Sequence, residues 1–440
     1  MRKDLLVTIC LLLITSVISS CGNAKAIATP NKPETREKEA QIITLMMAQG
    51  KFSDAYKELQ DKLKAEENIT LVLQTLPVDQ YDNVVKLKIA AREVPDIIVK
   101  NVPDRYEELD ASKNMVDLSG ERWVNRLTNP DLLRAPDGKI YAWPIESSTF
   151  YAAAYYNKKV FADLGLIKPT TYAGFLNLLE AIKTSGNGVI PIFMSNKDKW
   201  TTQIFITAGL PVLLGDKAKE TWDKLLDNRL KWTEVPEFNT ILNLYVDLYK
   251  KGYVNEDHAS TTFEDAKAAL AAGMAAMVYN GEWTAADLVA TYGMKSDDIG
   301  AFIIPFGDRD LMAMGGFVTG WLIPKDAKNI AGAKRVLELL SQPEYMNLYF
   351  AKYPGFPGFK DVNGGEVASE VMELAEKYIN GNKHTCEMNA PMSFANPLFI
   401  DNLWGPYVDI STGEKTPEQV IEAWQVIYEK YMKDKHRPGF

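Results

Sequence analysis

The sequence predicts an α/β protein: two α/β regions followed by a long C-terminal part that is mostly helical. Two observations lead to this. Short apolar runs of strand length alternate with longer segments whose apolar residues recur at three- and four-residue spacing. The 440 residues are 46% hydrophobic and 24% charged, an ordinary globular composition, and the length suggests two or three domains.

The elements follow in order. IITLMM (42–47) reads as a buried strand, and Phe52, Tyr56, Leu59 and Leu63 mark one face of the helix after it. ITLVLQTL (69–76) is a second strand, Val84, Leu87 and Ala91 mark a second helix, and PDIIVK (95–100) is a third strand. Strands alternating with helices of this length indicate a parallel sheet covered on both faces. The pattern resumes after residue 150. Phe175, Leu178, Leu179 and Ile182 form a helix stripe, VIPIFM (189–194) a buried strand, and Phe238, Ile241, Tyr245 and Leu248 a further stripe. TTFEDAKAALAAG reads as a helix capped by Thr261 or Thr262 and ended by Gly273. MAAMVYNG, DIGAFIIPF and GGFVTGWLIP are strands, and Ile330, Ala333, Leu337 and Leu340 make a helix. The last helix has a capping box, Thr416 with Gln419, and Pro417 at its first position. Val420, Trp424, Ile427 and Tyr431 are its expected buried stripe.

The chain opens MRKDLLVTICLLLITSVISSCGNAK. Arg2 and Lys3 precede an apolar run from Leu5 to Ile18, short of the roughly 20 residues a bilayer span needs but right for a signal peptide over residues 1–20. Ile18-Ser19-Ser20-Cys21 resembles the lipobox of bacterial lipoproteins. That resemblance implies a diacylglycerol on the Cys21 sulfur, cleavage before Cys21 and anchoring to the outer face of a membrane. Acylation by two or more chains holds stably where one holds marginally. The polar, Pro-containing segment 21–40 reads as a flexible tether. Of three Cys, Cys10 leaves with the signal and Cys21 is lipidated, so Cys386 has no disulfide partner in the mature chain.

The net charge of −9 argues against nucleic acid, which needs clustered Lys and Arg. After residue 20 no apolar run is long enough to span a bilayer. No GxSxG, HExxH or phosphate-binding Gly-rich loop is present, and His258, His384 and His436 lack metal-ligand spacing, so neither an enzyme nor a bound cofactor or metal is expected.

Four stretches, in order and spacing, resemble one family. They are DGKIYAWPI with AAYYNKKVFADLGL and KPTTYAGFLNLLEAIK; FEDAKAALAAGMAAMVYNGEW; IGAFIIPF with GGFVTGWLIPKDAKN; and STGEKTPEQVIEAW. The family is the extracellular solute-binding proteins of ABC importers, in the large sugar-binding branch that includes maltose-binding proteins. The likeness runs from about residue 40 to 435. It implies a periplasmic-binding-protein-like fold, two α/β lobes joined by a hinge of several crossovers, with residues 41–147 and 315–345 in lobe one and 148–314 and 346–440 in lobe two. The crossovers are expected near Ile145–Thr149, Met314–Gly316 and Tyr345–Ala351. The implied protein is a monomer that closes on a carbohydrate and delivers it to the transmembrane subunits of a permease.

A sugar has hydroxyls on its rim and C–H patches on its faces, so its site needs aromatic platforms ringed by carboxylates, amides and cations. The resemblance makes Trp283, in an NG-x-W motif, the stacking residue, with Asn280 and Glu282 beside it. At the first crossover, in ESSTFY, it implies a carboxylate that accepts sugar hydroxyls; Glu146 is the only carboxylate nearby but sits somewhat earlier, and Tyr151 fits the register as well or better. Gln49 and Lys51 follow the first strand and Asn101 the third, where open α/β sheets carry ligand contacts. Trp404 and Tyr407 lie on the helix where relatives place ligand-facing aromatics, whereas Trp143 and Trp321 read as core. Two glycosidase carboxylates at a defined separation, Glu146 and Glu282, are the enzyme alternative. A polyamine, a peptide or an organic anion is the alternative cargo, although no Arg lies in the cleft segments to suit an anion.

Overall fold

The computed structural model describes residues 39–51, 53–103, 106–147, 152–307, 309–314, 316–386 and 401–440. The signal segment, Cys21, all but the last two residues of the tether, Phe52 and Tyr151 lie outside them. Ala40–Phe440 forms one compact unit.

Eleven strands are described: β1 (Gln41–Ala48), β2 (Ile69–Leu76), β3 (Ile97–Val102), β4 (Ala142–Pro144), β5 (Ala153–Asn157), β6 (Ile190–Ile192), β7 (Ala275–Asn280), β8 (Ile299–Phe302), β9 (Met312–Met314), β10 (Val318–Leu322) and β11 (His384–Cys386). The first sheet has the order β2-β1-β3-β10-β4. β1 and β2 pair in parallel from Gln41–Ile69 to Ala48–Leu76, and β3 joins β1 in parallel. β10 is inserted antiparallel between β3 and β4. The sheet is therefore mixed, not the parallel sheet expected from the alternating pattern, because the last strand to enter comes back from the other half of the molecule.

Local chemistry sets these elements. The helix Ala55–Glu67 buries Tyr56, Leu59 and Leu63, and it stops at Asn68, whose φ of 55° closes it just before β2. Trp143 and Trp321 are fully buried 5.2 Å apart, and the Trp143 indole donates to Ser341 Oγ at 2.8 Å, so both are core as expected. In the second helix the buried residues are Tyr81 and Val85, whereas Leu87 is exposed. The expected stripe of Val84, Leu87 and Ala91 is rotated because Tyr81 sends its hydroxyl inward to the Val99 carbonyl.

The second sheet has the order β6-β7-β5-β8; β6 and β7 are parallel, and β5 is antiparallel to both its neighbours. β5 alternates in the way a two-sided buried strand must: Ala154 and Tyr156 enter one hydrophobic cluster, Ala153 and Tyr155 another. The first of these clusters is the larger and takes in the C-terminal helix Pro417–Asp434. That helix has the expected Thr416–Gln419 capping box, but it buries Val420, Ile421, Trp424, Tyr428 and Met432, while Ile427 is exposed and Tyr431 half-buried. Trp232 packs against both Trp424 and Tyr428, which fixes this rotation.

The chain passes from the first sheet to the second between β4 and β5 and returns between β9 and β10. The last passage is later than Tyr345–Ala351. The helix Pro343–Lys352 places Tyr345, Met346, Tyr349 and Phe350 in the first sheet's cluster, with Tyr349 5.4 Å from Tyr56, and Phe359 stays there too. A lobe boundary at residue 345 would cut this helix from its core. Phe356 already packs against a cluster of the second sheet, but Phe359 and Val362 still belong to the first, and the chain stays with the second from Val367 and Ala368 onward, through Asn363-Gly364-Gly365. Gly365 has φ +75°, and a Cβ there would meet the Phe350 carbonyl at 2.1 Å, so only glycine fits.

Candidate functional site

β1 and β3 run parallel, β10 runs against them and β4 runs against β10. The C-terminal ends of β1, β3 and β4 therefore share one edge of the first sheet with the N-terminal end of β10. Lys51 follows β1 in the turn Gln49–Lys51, Asn101 is near the end of β3, Glu146 follows β4, and Thr319 is the second residue of β10, directly opposite Asn101. Lys51 Nζ donates to Thr319 Oγ1 at 3.0 Å, and Thr319 Oγ1 donates to Glu146 Oε1 at 2.9 Å. Thr319 is buried, Lys51 and Glu146 are half-buried, and Gln49 is exposed.

Trp283 faces this edge from the other half of the molecule. Lys51 Nζ lies 5.9 Å from the centre of its ring, within cation–π range. Trp283 opens the helix Trp283–Ala290 directly after the turn that ends β7. Its indole folds back over Gly281, where any Cβ would meet the ring at 2.1 Å. Asn280 is 1% exposed and its Oδ1 accepts from the Gly281 amide at 2.8 Å, so it shapes the turn and does not face outward. Trp200 stands 6.3 Å from Trp283 with the planes at 50°, and its other side meets Phe263.

Several polar groups back the cleft. Glu282 is half-buried beside Tyr155, and burial first and the Glu282 charge second push the Tyr155 hydroxyl far above the ordinary phenol range. Burial and then the Glu146 charge do the same to Tyr56. On the hinge side, Tyr353 donates to Asp287 Oδ1 at 2.8 Å, joining the first sheet's cluster to the Trp283–Ala290 helix. Asp287 also holds Lys267 at 2.7 Å; burial pushes its carboxyl up, against the pull of Lys267 and Tyr353.

The structure thus brings Lys51, Glu146 and Asn101 to one edge of the first sheet with Trp283 opposite Lys51, while Glu282 stands beside Tyr155 and Gln49 is exposed. It does not bring Tyr407 there: this residue is fully buried in the helical core of the second half, so its ring offers no face to a ligand. Trp404 is half-buried on the same helix, Asp401–Thr412, which packs on the turn Lys199–Thr202 that carries Trp200. Sequence reasoning passed over Thr319 and Trp200. A lone hydroxyl in the apolar run GGFVTGWLIP, and a lone indole in the polar loop NKDKW, were the available signals.

Chemically, a cation, a hydroxyl and a carboxylate stand in hydrogen-bonded series opposite an indole face. Such a cleft matches an uncharged ligand that has both hydroxyls and apolar faces. Among the described residues no group of three or more His, Cys, Asp or Glu side chains is placed to hold a metal ion, and no helix is long and apolar enough to cross a membrane.

Two mixed-sheet halves, with Lys51 of one opposite Trp283 of the other, are the architecture of a two-lobed solute-binding protein. The chain belongs to the bacterial extracellular solute-binding protein family, whose model matches residues 49–347. It is 25% identical over 252 residues to the melibiose/raffinose/stachyose-binding protein MelE of Bacillus subtilis, a match spanning 56% of this chain and 55% of that protein. It is 24% identical over 367 residues, 78% of each chain, to a maltooligosaccharide ABC transporter solute-binding lipoprotein of Streptococcus pneumoniae. Its fold is that of a Bacillus licheniformis sugar transporter solved with stachyose, at a TM-score of 0.73, 19% identity, and coverage of 88% of this chain and all of that one.

Proposed function

We propose that this protein is the substrate-binding receptor of an ABC importer and holds a sugar or oligosaccharide in the cleft between its halves. The observation that carries the reading is the Lys51–Thr319–Glu146 hydrogen-bonded series facing Trp283. Relatives named for raffinose-type sugars and maltooligosaccharides support the cargo class. Ligand closes the halves, and the closed monomer docks on permease transmembrane subunits and releases its cargo. The body is tethered by a lipid on Cys21 at the extracytoplasmic face, a reading supported by the lipobox ISSC and by a relative described as a lipoprotein.

Calorimetric titration with raffinose-family and maltose-family sugars, with spermidine and a peptide as controls, tests the cargo. Saccharide binding with silent controls is expected; binding of a control alone reassigns it. For the anchor, Cys21→Ser in the full chain should move the protein from the membrane fraction to the soluble one. Continued sedimentation with membranes would reject lipidation at Cys21.

A further inference from the structure

We propose that Thr319 is a positioning residue of the cleft, a role that rests on the receptor reading above. Its hydroxyl accepts from Lys51 Nζ at 3.0 Å and donates to Glu146 Oε1 at 2.9 Å. It therefore holds an ammonium and a carboxylate one hydroxyl apart. That spacing is what a ligand hydroxyl needs if it is to accept from one group and donate to the other. An amine has no lone pair for Lys51 once protonated, and a carboxylate has no proton for Glu146. The pair set by Thr319 thus selects uncharged hydroxyls over either ionic group.

Three further features support the role. Thr319 is 4% exposed, so its hydroxyl is not at the surface and its rotamer is fixed by the strand. Its partners come from three separated places: the turn after β1, the crossover after β4 and β10 itself. The Asn101 side-chain carbonyl, on the residue directly opposite, is buried with no donor among the described residues. A ligand hydroxyl between the two strand ends supplies one. Without the Thr319 hydroxyl, Lys51 and Glu146 keep their charges but lose the common reference that fixes their separation.

Thr319→Val keeps the β-branched shape and removes the hydroxyl; Thr319→Ser keeps the hydroxyl. In the ligand-free protein, competitive acetylation read by mass spectrometry reports the freedom of the Lys51 amine. Labelling of Lys51 is expected to be several-fold faster in Thr319→Val, with Thr319→Ser close to wild type. Affinity for a bound saccharide should fall about tenfold in Thr319→Val, as expected for losing a charge-assisted hydrogen bond, and recover in Thr319→Ser. The double variant Lys51→Met/Thr319→Val should bind no more weakly than the weaker single one, because the two residues act as a unit. Equal Lys51 labelling in all three proteins, unchanged affinity in Thr319→Val, or fully additive losses would overturn the proposal. If labelling responds as expected while no saccharide binds the wild type, the cargo reading fails and the positioning role stands.

Discussion

Trp283 depends on a neighbour that has no side chain. Its six-membered ring lies where a Cβ on residue 281 would be, 2.1 Å away, so Gly281 is what allows the indole to fold back and present its other face to Lys51. Trp283→Ala removes the platform, and Gly281→Ala should displace it. Both variants are expected to weaken saccharide binding at least about tenfold, or ~1.4 kcal/mol. Trp283→Ala should lower Tm little, because the residue is half-buried at the margin of its cluster. Calorimetry and a thermal melt on each variant check this; unchanged affinity in both would remove the indole from the site. The same scale shows the limit of reading a site from sequence. What was legible is that Lys51, Glu146 and Trp283 follow strands and that Asn101 stands near the end of one. Thr319 was not, since nothing in VTGWL says that β10 inserts beside β3. Tyr407 was misplaced because an aromatic on an amphipathic helix can serve core or cleft, and only packing decides between them.

At the scale of elements, alternation and helix caps were legible because they are local: β2 spans Ile69–Leu76 as read, and Thr416–Gln419 closes its box. Stripe rotation was not, because Ile427 and Tyr428 suit a buried face equally well until Trp232 packs on one of them. The late return to the second half shows a further non-local tie. Glu370, in the first turn of the helix Ser369–Ala375, accepts from Tyr156 Oη at 3.0 Å on both oxygens and from the Ala301 amide at 3.0 Å, with Lys168 3.2 Å away. Burial alone would raise this carboxyl, but these partners outweigh it and hold the pKa below its ordinary 4.5. A lowered pKa means that the stabilisation is present above pH 4.5 and is lost as pH falls through the folded value. Glu370→Gln should therefore cost about 2 kcal/mol at pH 7, and the gap to wild type should shrink below about pH 4.5. Denaturant melts at pH 7 and at pH 3.5 read the difference; a gap that stays constant with pH would assign the effect to packing.

At the scale of the whole molecule, the two sheets share no strand, and among the described residues the chain passes between them after β4, after β9 and after Val362. Bending about such passages changes few core contacts, because each half keeps its own buried clusters. Contacts between the halves among the described residues include Lys51 over Trp283, Tyr353 on Asp287 and the ion pair of Arg437 with Glu107 at 2.9 Å. A saccharide that touches Trp283 on one half and the Lys51–Thr319–Glu146 edge on the other would bind the closed form better than the open one. To turn a 1:99 mixture into 99:1 that preference must reach about 5.5 kcal/mol. An indole platform and several charge-assisted hydrogen bonds are of this size together. Small-angle scattering should accordingly show a smaller radius of gyration when a binding saccharide is added. At the same saccharide concentration Trp283→Ala should leave roughly a tenth of the population extended instead of about a hundredth, since losing tenfold in closed-form affinity turns 99:1 into about 10:1. A radius of gyration that does not change with a saccharide shown by calorimetry to bind would mean that the halves do not move, and that the cleft recognises its ligand as a rigid groove.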